Sequence, residues 1–102
     1  MREFERRVQQ RFALQLPIIL EGSPAGAGSR GLTRDVSARG VFFYTDAAWL
    51  QLSARIAFSM ILPIKITDTK ATRVRCQGTV IRLETGVQSG TGVAATIDSY
   101  DF

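Results

Sequence analysis

The chain has no histidine, and its only cysteine is Cys76. These two shortages exclude several chemistries. An intramolecular disulfide cannot form, zinc has too few thiolate or imidazole ligands, and no His-based acid–base or nucleophile–base pair can be assembled. Long apolar runs are missing too. The longest, near Ile56 to Ile64, falls well short of the ~20 residues of a membrane helix. The N-terminus mixes both signs of charge and lacks an apolar h-region, so it does not read as a signal peptide. A reducing, cytoplasmic setting is the expectation. What is present is ordinary for one small globular domain: 102 residues, 45% hydrophobic and 22% charged.

The net charge is +4, and its location says more than its size. Residues 1–11 carry Arg2, Arg6, Arg7 and Arg11 against Glu3 and Glu5. Residues 30–40 carry Arg30, Arg34 and Arg39 against Asp35, and the rest of the chain balances. Two concentrated basic patches point to a local anionic partner.

Period-two patterning dominates. Leu14, Leu16, Ile18 and Leu20 lie on one face of a strand running from Ala13 to Glu21, with Pro17 implying an edge or a bulge. After a Gly/Ser/Pro/Ala-rich hairpin tip the chain returns through Leu32 to Val36. Val41 to Thr45 reads as a third strand. Trp49 and Leu52 are expected to cover an open end of the core. Ile56, Phe58, Met60 and Leu62 line a fourth strand. Val74, Cys76, Gly78 and Val80 face inward on a fifth, with Arg73 and Arg75 on a solvated face. Val93, Ala95 and Ile97 line a sixth. Six short strands and no 3.6-residue periodicity predict an all-β fold, a small antiparallel barrel that closes to avoid exposed edges. The expected organisation is a basic segment at 1–12 followed by a barrel at 13–102.

The stretch Asp35-Val36-Ser37-Ala38-Arg39-Gly40 sits between strands two and three. Asp and Ser can close such a turn locally, and Gly can supply an unusual φ. Beside that plain reading stands a functional one. Arg11 and Asp35 are 24 residues apart, yet antiparallel pairing of strands one and two makes them neighbours at one end of the sheet. Guanidinium groups can pair with phosphate, grip the O6/N7 edge of guanine or stack on a base. A carboxylate can accept from the N1–H and N2–H₂ donors of guanine. A guanine nucleotide with accessible phosphodiesters fits both.

Arg7-x-x-x-Arg11 followed by Asp35-x-Ser37-x-x-Gly40 across a strand hairpin resembles the PilZ domain family, and the resemblance covers the whole chain. It implies a bacterial receptor for cyclic di-GMP on a six-stranded barrel. Arg7 and Arg11 would hold guanine and phosphate, Asp35 and Ser37 would contact guanine from the barrel, and Gly40 would shape the turn. It also implies signalling through ordering of the N-terminal segment, passed to a downstream protein or fused domain. Arg6, on the opposite side of an extended backbone from Arg7, fits binding of a stacked ligand dimer, hence two molecules per chain. Many family members add a helix that covers one barrel end; here the sequence runs to Tyr100-Asp101-Phe102, so that helix is either absent or cut from a longer protein, and Trp49, Phe102 or a partner is expected to cap that end. The competing readings are a PilZ-like interaction module without nucleotide binding, and a small basic barrel for single-stranded nucleic acid. The second would need aromatics interleaved with cations on one exposed face, and the basic fifth strand carries none. No cofactor and no catalytic constellation is expected, so the reading is not an enzyme.

Overall fold

The computed structural model describes residues 12–22, 29–47, 49–64, 70–87 and 90–101. The alternating segments form seven strands: β1 (Pro17–Leu20), β2 (Ser29–Val36), β3 (Gly40–Thr45), β4 (Arg55–Leu62), β5 (Thr72–Val87), β6 (Gly90–Thr96) and β7 (Ser99–Asp101). Neighbours run in the order β4-β1-β2-β3-β6-β5, and β5 pairs back onto β4, so six antiparallel strands close a barrel. The short β7 was not anticipated. It lies on β5 past the end of β6, with Cys76 opposite Tyr100.

Inward-facing side chains fill the barrel as the alternation predicts. Phe58 and Met60 of β4, Val74 and Cys76 of β5, and Val93 and Ala95 of β6 are all buried. Phe43 and Phe58 meet across the interior with centroids 6.2 Å apart. Burying each such side chain contributes about 1.5–3 kcal/mol. Burial pushes the Cys76 thiol pKa up to about 12, which fits a core residue that stays protonated.

Two details depart from the sequence expectation. The first strand's ladder begins at Pro17 rather than Ala13. Over the preceding residues, the Thr33 side chain supplements a backbone bond, from Thr33 N–H to the Leu16 carbonyl at 3.0 Å. Its hydroxyl accepts from Leu16 N–H at 2.7 Å and donates to the Leu14 carbonyl. Pro17 is thus the first ladder residue, a position that tolerates a missing donor. In the irregular connection after β3, Leu50 is buried while Leu52 is 60% exposed. Trp49 does pack against the core, anchored by its indole N–H donating to Ser29 Oγ at 3.1 Å. Leu52 does not cover the barrel end, and Phe102 lies outside the described residues.

The β6–β7 joint crosses the barrel wall at Gly78. A Cβ there would stand 1.7 Å from the Thr96 carbonyl oxygen. Thr96 Oγ1 accepts from Thr79 N–H at 3.0 Å, and Asp98 N–H donates to the Gln77 carbonyl at 2.7 Å. This joint matters for the site because it also braces the β2–β3 turn.

Candidate functional site

The turn at 37–40 is held by hydrogen bonds on every side. Ser37 N–H donates to the Gly40 carbonyl at 2.9 Å, and the Ser37 hydroxyl reaches the same oxygen at 3.3 Å. Ile97 N–H donates to the Arg39 carbonyl at 2.9 Å. The Tyr100 hydroxyl donates to the Ala38 carbonyl, and burial pushes its pKa up to about 12. Gly40 does not adopt a left-handed φ, contrary to the sequence expectation. Its lack of a side chain serves close approach instead, since a Cβ would lie 3.2 Å from the Ala95 carbonyl oxygen.

Phe12 meets the strand end that leads into this turn. Phe12 and Val36 pair in an isolated bridge, exchanging N–H to O bonds of 2.8 and 2.9 Å. Arg6, Arg7 and Arg11 themselves lie outside the described residues. Asp35, Ser37 and Gly40 are all described, and they stand together at the end of β2 and the start of β3.

Asp35 reaches the outer face of the barrel through a β-bulge. Thr33 pairs with Phe43 and Asp35 with Phe42, which leaves Arg34 as an extra residue in the ladder. Paired residues share a face, so Asp35 lies on the side of Phe42, and Arg34 lies there too. Arg34 Nε donates to Asp35 Oδ2 at 3.0 Å. Its guanidinium carbon sits 3.9 Å from the centre of the Phe42 ring. The Asp35 hydrogen bond raises the Arg34 pKa above its ordinary value, opposed by partial desolvation and helped by Tyr44.

A second bulge in β5 does the same for another arginine. Val80 pairs with Ala95 and Arg82 with Ala94, with Ile81 the extra residue. Strict alternation would send Arg82 inward. Instead it faces out, 5.7 Å from the Phe42 ring centre, and pairs with Glu84 at 3.2 Å. Phe42 therefore lies on the outside yet is 2% exposed. Tyr44 packs edge-on to it at 5.4 Å. Gly92 makes room, since a Cβ there would stand 2.8 Å from Phe42 Cζ.

Two grooves meet at Arg34. The smaller, about 270 Å³, is lined by Ser37, Arg39, Gly40, Phe42 and Arg82 among others. The larger, about 740 Å³, runs along Gln15, Arg30, Leu32 and Tyr44. Arg34, Phe42, Tyr44 and Arg82 were absent from the sequence-derived site. The available signal was a slip in the alternation: the core-facing pairs Thr33 and Val36, and Val80 and Leu83, are three residues apart. Among the described residues no group of three or more Cys, Asp or Glu gathers as a metal site.

The PilZ domain family profile matches residues 2–99. The chain belongs to the PilZ domain family. No curated protein matches the sequence. Among solved structures, this PilZ domain is similar to the Bacillus subtilis inhibitor of motility (MotI/DgrA). The TM-score is 0.73 at 14% identity, over 89% of this chain and 42% of that one. The chain therefore spans about two fifths of that protein, and the likeness is one of fold. Among the described residues no helix is long and apolar enough to cross a membrane.

Proposed function

We propose that this PilZ domain is a receptor for cyclic di-GMP in the bacterial cytoplasm, holding the ligand between its N-terminal arginines and the outer barrel face. Arg7 and Arg11 grip guanine and phosphate, Asp35 and Ser37 read the base edge, and Gly40 keeps the groove floor low. Arg6 reaches a second ligand molecule. Binding orders the arginine segment over the barrel, and a downstream protein or fused domain reads that change. The observation that supports this reading is the Phe12–Val36 bridge, since Arg11 directly precedes Phe12 in the chain and Asp35 directly precedes Val36. The local chemistry supports it, because Arg34, Arg39 and Arg82 line the smaller groove and favour an anion there. Single-stranded nucleic acid is disfavoured, since Phe42 has no open ring face on which successive bases could stack.

Calorimetric titration with cyclic di-GMP, using GTP and single-stranded DNA as controls, tests the reading. The unmodified domain should bind cyclic di-GMP selectively. Arg11→Ala should remain folded and lose roughly 30-fold or more in affinity, the typical cost of one charge-assisted contact. Equal binding by Arg11→Ala would remove the N-terminal arginines from the site.

A further inference from the structure

Arg34 is an inserted residue in β2, and the surrounding groups hold it in one orientation. Asp35 takes its Nε–H at 3.0 Å, and Phe42 supports the guanidinium from below at 3.9 Å. Phe42 is itself fixed, with Tyr44 at its edge and Gly92 leaving it room. A long side chain restrained in this way has already lost much of the rotamer freedom that ligand binding would otherwise cost. The Arg34 side chain nevertheless remains 48% exposed. One face of a planar group is covered by the ring, and the other opens where the two grooves meet.

We propose that the open face of Arg34 is a stacking platform for a purine base, a binding role separate from that of the N-terminal arginines. The proposal rests on the receptor reading above, and it assigns a base contact to the barrel itself. A guanidinium is flat, weakly hydrated and cationic, and it stacks on aromatic planes. Sandwiched between Phe42 and a purine it has a π surface on both sides. Arg82 is the weaker candidate. It stands 5.7 Å from the ring centre and is drawn aside by Glu84, so it supplies positive potential for a phosphate instead.

A merely structural Arg34 and a platform Arg34 differ in one substitution. Lysine keeps the charge near Asp35 and a cation over Phe42, with a methylene where Arg34 has its Nε–H, but an ammonium has no plane on which a base can lie. Cyclic di-GMP affinity of Arg34→Lys should therefore fall about ten-fold or more, the scale of losing one stacked base, while the melting temperature stays close to that of the parent. In the unmodified protein the Arg34 Nε–H resonance should move upfield on titration, under the ring current of the stacked base. Parent binding with unchanged Arg34→Lys affinity overturns the platform and leaves the receptor reading intact. Absence of binding by the parent overturns both. If Arg34→Lys does not fold, the Nε–H resonance decides: a signal unmoved at saturation overturns the platform.

Discussion

Asp35 stands directly opposite Phe42 across the β2–β3 ladder, and the two share the outside of the barrel. Arg34 is the residue that the ladder skips. Its removal leaves Thr33 facing in, Asp35 facing out and Val36 facing in, as a regular strand requires. Deleting Arg34 should therefore preserve the fold, with a stability change of about 1 kcal/mol by urea titration, and should weaken ligand binding. Failure of the deletion variant to fold would show that the bulge is needed for the barrel itself.

Two glycines should respond in opposite ways. Gly78→Ala drives a Cβ into the backbone of Thr96, which cannot yield without breaking the β6–β7 joint. We expect a loss of at least ~3 kcal/mol, at the upper end for overpacking, or no folded protein. The Cβ that Gly92→Val adds meets first the far end of the Phe42 ring and then the Glu84 Cβ. That variant should fold, displace the ring and the guanidinium above it, and lose affinity. Circular dichroism melts with calorimetry on both variants separate the two roles, and a ligand affinity unchanged in Gly92→Val contradicts the second.

Alkaline pH should destabilise the domain. Burial raises the pKa of Cys76 from 9.0 and of Tyr100 from 10.0, each to about 12. The unfolded chain releases these protons first, so stability is complete below pH 9 and declines as pH rises towards the folded values. Urea midpoints measured between about pH 8 and pH 10.5 should fall, and Cys76→Ala should flatten the earlier part of that decline. A pH-independent midpoint over this range would count against both shifts.

Stoichiometry separates the roles of the arginines. Calorimetry at saturating cyclic di-GMP should give two molecules per chain, and Arg6→Leu should bring this towards one without abolishing binding. A value of one for the unmodified domain, at verified active fraction, would falsify the assignment of Arg6 to a second ligand.

The barrel was legible wherever alternation is unbroken. From Ile56 to Leu62 and from Val74 to Val80 every second residue faces the core, and the sequence pattern says so directly. The same template fails at Arg34 and Ile81. A bulge shifts the phase by one residue, and the period-two count then assigns Arg82 to the wrong face. Phe42 was hidden for a related reason: beside Val41 and Phe43 it reads as part of an apolar run, and only the tertiary structure shows it to be an external ring under a guanidinium. At three residues, β7 is too short to carry a period. It is held by Tyr100 reaching Ala38, a contact between residues 62 positions apart. Asp35, Ser37 and Gly40 could be singled out because turn chemistry is local, although the φ inferred for Gly40 differs from the one it adopts.

The Phe12–Val36 bridge also acts as a mooring. A chain spans at most about 3.3–3.6 Å per residue, so the Cα of Arg7 lies no more than roughly 18 Å from that of Phe12. In a domain measuring 36 × 25 × 20 Å, that radius is about half of the longest dimension. In the receptor proposed above, arginines tethered so closely would meet a ligand on the barrel face at an effective concentration of about millimolar or more, set by chain length and independent of how much protein the cell contains. Inserting residues between Arg11 and Phe12 would lower that concentration while leaving the barrel face itself unchanged.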